Sequence, residues 1–500
     1  MARFTDLFRL ILSDQASNIF WRGFCCERNM KKNLTLLLLI SCTLQLGFAQ
    51  EMVLKKGAVL DALPVNDSLQ DTYALYLPTS FSTDKQWPLL MVVDMNGKQT
   101  QALSMFIAAA EKEGYVLMAP QVRDSVSLSG NVVIATRALK KVLDYLPIQR
   151  SRIYSAGANS GGRFANLLPI FTKTVSGAIS IGAAITNTEL LNVRQPFHFI
   201  GIVNKENYNY PDLLKSEKVL ERLRYPNQLL IHEAERLWPD PEYLQRALQF
   251  LTISAMRKGV AKKDSTYIRK AFTNDLLKAN QLKGSMQLLE AEQFIGEMFG
   301  VYAAHQNLDS LRMVQKDIRR NKVYKSMKRG ENAAFLKESL LKEDFLYYMD
   351  EDLVTYNFNN LGWWNFQREE IEKFINGSNP FEKQMGHRLL GFVNALAEDN
   401  IDLVVSEALI DEDALAFLYM LKTILEPENF EYYLKVISLS CKNEDFGTAL
   451  FYLEEALKKG FDNTEKLYGL QHTALLKIDP RFNTLVSKYL KDARYKVKEQ

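Results

Sequence analysis

Cysteine is scarce in this chain: Cys25, Cys26, Cys42 and Cys441 are the four in 500 residues. Three of them precede residue 50, so removal of an N-terminal leader leaves Cys441 alone, which excludes an intramolecular disulfide and a cysteine-based metal site. Charge of one sign is equally lacking. The 62 Lys and Arg nearly balance the 59 Asp and Glu, and no long run carries one sign, so neither a nucleic-acid footprint nor a polybasic membrane patch is expected. The five histidines, His198, His232, His305, His387 and His472, are widely spread. None pairs with another at metal-ligand spacing, and each reads as a packing or surface residue. There is no phosphate-cradling Gly-x-x-x-x-Gly-Lys run and no Gly-x-Gly-x-x-Gly after a strand, so no metal and no cofactor is expected. A protein or a small polar molecule remains as the partner class.

The first fifty residues read as processing signals rather than structure. From Met30, "MKKNLTLLLLISCTLQLGFAQ" supplies a basic start, an apolar stretch and a Gly47-x-Ala49 cleavage site, the order of a secretory signal peptide. Residues 1–29 then read as a mis-called start and 30–50 as the leader. "LISC" at Leu39–Cys42 also resembles a lipobox, so membrane attachment enters only if Cys42 is lipidated. The expected location is exported, periplasmic or extracellular. The apolar stretch is too short for a stable membrane span, and no later window qualifies.

Over 51–255 short apolar, β-branched runs alternate with segments of helical period, which implies a mostly parallel sheet covered by helices. "YALYLP", "WPLLMVVD", "YVLMAPQ", "RIYSAG", "VSGAISIGAA", "FHFIGIVN" and "NQLLIHE" read as strands. "VVIATRALKKVLDYL" reads as a helix with Val133, Leu139, Val142, Leu143 and Leu146 on one side. "PDPEYLQRALQFLTI" reads as a last helix with Pro239 and Asp240 at its start. Beyond residue 256 the strand signal fades. The 256–425 region is helical, and in 426–500 Ala449, Tyr452, Leu453, Ala456 and Leu457 form one apolar stripe that Gly460 ends. The Trp363–Trp364 pair reads as inter-helix packing.

Two of these stretches carry family resemblances. "RIYSAGANSGGRFA" resembles the strand, nucleophile elbow and helix of the secreted α/β-hydrolase branch that includes feruloyl-esterase-like and polyhydroxybutyrate-depolymerase-like proteins, and "WPDPEYLQRALQFL" is similar to that group's closing helix. The resemblance spans roughly 70–255 and implies an α/β-hydrolase sheet. "NFEYYLKVISLSCKNEDFGTALFYLEEALKKGF" resembles a tetratricopeptide repeat, two helices joined by a polar turn. It implies an all-α, repeat-like domain with a C-terminal cap in 426–500.

Serine-hydrolase chemistry needs a hydroxyl to attack, a histidine to take its proton and a carboxylate to orient that histidine. Aligned by the elbow glycines, Gly157-Ala158-Asn159-Ser160-Gly161 puts Asn159 at the tip, and an amide cannot form the acyl-enzyme. The resemblance implies a histidine shortly before Trp238, where Arg236 stands, and an acid after "FHFIGIVN", where Asn207 stands. Asp94, in "DMNG", matches the aspartate that related secreted members carry beside the oxyanion strand. The shifted alternative makes Ser160 the nucleophile, His232 the base and Glu206 the acid. If the segment is extended, Glu206 points away from Asn207. The leading expectation is a catalytically inactive hydrolase-like protein that binds a protein or a small polar or carboxylate ligand around Asn159, Asn207 and Arg236. The alternative is a secreted serine esterase acting on acyl esters through Ser160.

Overall fold

The computed structural model describes residues 55–66, 70–233 and 236–490. The expected leader, Cys42 and the start at 1–29 lie outside the described residues. The described residues lie in one compact unit.

Eight strands form a single sheet: β1 (Val59–Pro64), β2 (Thr72–Tyr76), β3 (Trp87–Val93), β4 (Val116–Pro120), β5 (Ile148–Ala158), β6 (Gly177–Ile181), β7 (His198–Asn204) and β8 (Asn227–His232). Their spatial order is β1-β2-β4-β3-β5-β6-β7-β8. The β1–β2 and β2–β4 pairings are antiparallel and the rest are parallel. Parallel neighbours require crossover connections, which put helices on the sheet faces and bury the strands on both sides. That is why these strands read as near-continuous apolar runs.

Six helices accompany the sheet: α1 (Gln99–Met105), α2 (Ile107–Glu113), α3 (Leu128–Tyr145), α4 (Ser160–Phe171), α5 (Tyr210–Arg222) and α6 (Pro241–Arg257). The strand alternation sorts the two faces. Ile179, Ile200 and Leu230 point into a core with Phe106, Leu248 and Leu251, while Ala178, Phe199 and Leu229, each one residue earlier, meet Leu213 and Leu220 of α5 on the opposite face. A period of two makes this division unavoidable. In α3 the buried stripe is Ala135, Ala138, Leu139 and Val142, and Val133, expected on that side, is exposed. It stands two residues off the i, i+4, i+7 line. The last helix of this part begins with Pro241 rather than Pro239 at its first position, and Asp240 precedes it without a side-chain capping bond.

The remainder is helical: α7 (Ser265–Gly284), α8 (Leu288–Tyr302), α9 (Asp309–Arg320), α10 (Lys322–Thr355), α11 (Leu361–Ile375), α12 (Pro380–Ser406), α13 (Glu412–Leu425), α14 (Phe430–Lys442), α15 (Phe446–Lys458), α16 (Thr464–Gly469), α17 (Ala474–Ile478) and α18 (Pro480–Tyr489). The core under the sheet continues through Ile268, Ala279, Ile295 and Met298 into Leu311 and Ile318, so α7 to α9 share one apolar interior with it. Two further cores follow, one around Trp364, Leu389 and Phe417, the other around Ile437, Leu453 and Phe482. Trp364 is buried and packs in the first of these, its centroid 5.9 Å from that of Phe345 and 4.9 Å from that of Trp363. Ala449, Leu453, Ala456 and Leu457 form the buried stripe of α15, and Gly460 ends it at φ 101°. Among the described residues no helix is long and apolar enough to cross a membrane.

Candidate functional site

β5 lies between β3 and β6 in the middle of the sheet, and a single residue separates its end from α4. That residue is Asn159, at φ 48° and ψ −117°. Reversing the chain in one step forces this left-handed geometry, which a residue with a side chain adopts only under constraint. Here the constraint is visible: the Asn159 amide donates to the Ile181 carbonyl at 2.9 Å, and the Asn159 carbonyl accepts from the Arg163 amide at 2.9 Å. The turn is so tight that a Cβ on Gly157 would fall 2.3 Å from the Gly161 carbonyl oxygen. The tip of the elbow is therefore Asn159, and Ser160 is the first residue of α4. No side chain caps this helix, so its first-turn amides remain open as the positive end of a helix dipole.

Gly182, at φ 66° just past β6, is the meeting point of two amides. A Cβ built on it would lie 3.1 Å from Asn159 Oδ1 and 3.1 Å from Asn207 Nδ2. Asn207 belongs to the loop after β7, where its Oδ1 accepts from the Asn209 amide at 2.9 Å and Asn209 Nδ2 donates to the Gly182 carbonyl at 2.8 Å. These bonds make a compact turn. The segment is consequently not extended, and Glu206 and Asn207 face the same cavity instead of pointing apart as an extended chain requires.

That cavity has a volume of about 300 Å³, and Gly182, Glu206, Asn207, His232, Arg236 and His387 line it. His232 is the last residue of β8, in register with Asn204, and it is buried with no partner on Nδ1. Burial pushes its pKa below the ordinary histidine value; Asp240 opposes that shift and Arg236 adds to it. Its imidazole is therefore held neutral. Arg236 is exposed at the rim and ion-paired to Asp240, so the aspartate expected at the start of α6 compensates the guanidinium. Asn207 and Arg236 line it as expected, but Asn159, Ser160 and Asp94 do not: the elbow tip lies behind Gly182, outside the lining. Asp94 instead accepts from the Asn96 amide at 3.1 Å. It also helps, after burial, to raise the carboxyl pKa of Asp124, to which Asp402 contributes as well.

His387 is the residue that sequence reading missed. It lies on α12, far from the sheet in sequence, and the helix is pressed onto the loop after β7. Arg388 Nη1 donates to the Lys205 carbonyl at 2.7 Å, and a Cβ on Gly391 would sit 3.4 Å from Tyr208. Nothing in the local pattern of α12 distinguishes His387 from a packing histidine. Only the glycine four residues later hints at a close approach.

Chemically the site offers two carboxamides, one neutral imidazole, one further histidine, a compensated guanidinium and one carboxylate. Carboxamides donate and accept hydrogen bonds but have no hydroxyl to acylate, and a guanidinium stays protonated and cannot serve as a general base. Among the described residues no group of three or more His, Cys, Asp or Glu side chains is placed to hold a metal ion.

No protein-family model matches the sequence, and no curated protein matches it. Among solved structures, it is similar to a substrate-bound fluorophosphonate-binding serine hydrolase of Staphylococcus aureus, at 14% identity and TM-score 0.33 over 39% of this chain and 99% of that one. A Thermogutta terrifontis esterase 2 phosphonylated by sarin is similar at 12% identity and TM-score 0.33, over 42% of this chain and 99% of its own. An esterase of Pyrobaculum calidifontis gives 15% identity and TM-score 0.32, over 40% and 87%. The architecture follows from the chain's own strand order and elbow: an α/β-hydrolase-like, mostly parallel sheet with helices on both faces, followed by an all-α region.

Proposed function

We propose that this protein is an exported, catalytically inactive α/β-hydrolase-fold binding protein. The observation that carries the reading is Asn159 at the strained elbow tip, with Asn207 and Arg236 where an acid and a base would be needed. The ligand of the 300 Å³ cavity is a small polar molecule. A carboxylate suits Arg236 if it displaces Asp240, since guanidinium–carboxylate pairs are bidentate and strong. The helical half, with its tetratricopeptide-like pair α14 and α15, serves as the surface for a protein partner. Lipidation of Cys42 would hold the protein at a membrane.

One observation favours the competing reading, a serine esterase using Ser160, His232 and Glu206: His232 and Glu206 line the same cavity. Against it, Ser160 stands on the helix and not at the tip. The discriminating experiment exposes the full chain to a fluorescent fluorophosphonate beside a known serine hydrolase. No labelling and no turnover of a short p-nitrophenyl ester are expected. Labelling that Ser160→Ala abolishes would establish the esterase instead.

A further inference from the structure

A second, larger cavity of about 490 Å³ adjoins the first and shares Asn204, Glu206 and His232 with it. Its remaining walls come from the ends of β7 and β8, from α6, from the last turn of α7, from α8 and from Gln384 of α12. The volume falls within the roughly 300–1,000 Å³ of small-molecule sites.

Its charges cancel. Lys205, Arg246 and Lys278 face Glu206, Glu233 and Glu290, and two of the cations are engaged already, Lys205 by Glu290 and Arg246 by Asp275. A cavity without a field of one sign gives a charged ligand little advantage. Four glutamines, Gln281, Gln287, Gln293 and Gln384, share the wall with these charges. Gln293 donates to the Leu229 carbonyl and to Glu297, and Gln287 donates to Glu233. The side chains of Gln281 and Gln384 make no hydrogen bond to the described residues, so two carboxamides keep both a donor and an acceptor for a ligand. The Tyr243 ring lines the same space. Carboxamides and carboxylates beside an aromatic ring match a molecule with many hydroxyls and one apolar C–H face.

We infer that this cavity binds a neutral carbohydrate of one or two rings. The inference stands whether or not the elbow catalyses. Its test is titration calorimetry of the full chain with glucose, galactose, N-acetylglucosamine and maltose, with glucuronate and glutamate as charged comparisons. At least one neutral sugar should bind saturably and at least tenfold more tightly than either charged compound. Gln384→Leu should weaken that binding roughly tenfold, as loss of one good hydrogen bond does, with an unchanged circular dichroism spectrum. Should Gln384→Leu fail to fold, Gln281→Leu serves the same purpose, because the Gln281 carboxamide lines the same cavity and is likewise unengaged. Absence of binding by all four sugars, equal or tighter binding of glutamate or glucuronate, or unweakened binding in the folded variant each overturns the inference.

Discussion

Arg388 and Glu338 form an ion pair buried on both sides, with Nη2 2.7 Å from Oε2 and only 2% of each side chain exposed. Through Nη1 the same arginine holds the Lys205 carbonyl, so α10 and α12 are fastened to the loop that carries Glu206 and Asn207. Removing Arg388 leaves the buried Glu338 with a single partner, Lys342 Nζ at 2.8 Å from its Oε1, and leaves the Lys205 carbonyl without its guanidinium donor. Arg388→Met is expected to cost about 3–5 kcal/mol, measured by urea unfolding, and Arg388→Met with Glu338→Leu should recover much of that loss.

Asn159 pays conformational strain at φ 48° and ψ −117°. Glycine adopts that conformation freely, so Asn159→Gly should raise stability by about 1 kcal/mol. Gly182→Ala should act in the opposite direction by about 1–2 kcal/mol, because φ is 66° there and the new Cβ meets Asn159 and Asn207 at 3.1 Å. Thermal unfolding of the two variants reads both signs.

Asn159→Ser restores a hydroxyl at the tip but supplies neither base nor acid at Arg236 and Asn207. It is expected to show no ester hydrolysis, and Asn159→Ser combined with Asn207→Asp and Arg236→His is the smallest set that would show any. Turnover of a p-nitrophenyl ester by the single variant would mean that His232 already serves as base.

His198 and the Glu217–Glu297 pair give opposite pH dependences. His198, whose Nε2 meets Gln228 Oε1, has its pKa pushed down to about 3 by burial; the Gln228 hydrogen bond opposes this, and Lys258 and Arg257 add to it. The unfolded chain therefore binds a proton that the folded chain refuses, and stability falls as pH drops from about 6.5 toward 3. Glu217 and Glu297 share a hydrogen bond across α5 and α8, and burial first, then their mutual repulsion in the case of Glu297, raises both carboxyl pKa values. Their contribution is present below the ordinary carboxyl pKa and lost as pH rises through the folded values. His198→Gln should flatten the acid limb of a stability–pH profile, and Glu297→Gln should stabilise the protein at pH 8.

Trp364 and Asn360 donate to the same carboxylate oxygen of buried Asp352, at 2.8 and 2.7 Å. Trp364→Phe keeps most of the ring but removes one donor, and should cost about 1–3 kcal/mol. Chemical denaturation of the variant measures it. A change near zero would mean that Asn360 alone satisfies the aspartate.

Much of the sheet was legible because its chemistry is local. Apolar β-branched runs such as "FHFIGIVN" and "NQLLIH" must alternate between two faces, and the glycines of "GANSGG" mark a turn and a strand approach too tight for side chains, with a Cβ on Gly161 falling 2.4 Å from the Val93 carbonyl oxygen. Asn159, Asn207 and Arg236 could be located from those landmarks. The conformation after β7 could not: Asn207 and Asn209 close a turn through side-chain bonds, and this puts Glu206 on the cavity side.

Local pattern along the chain sets the order of elements and the stretch that forms the elbow, since each depends on neighbours within a few residues; which of Asn159 and Ser160 stands at the tip is set by the turn geometry, with Asn159 at φ 48° and Ser160 opening the helix. Tertiary structure alone decided what surrounds the site. His387, Arg388 and Gln384 reach it from α12, and Glu290 reaches Lys205 from α8. No periodicity along those helices records which surface they will meet, because that is set by how separate apolar cores pack together.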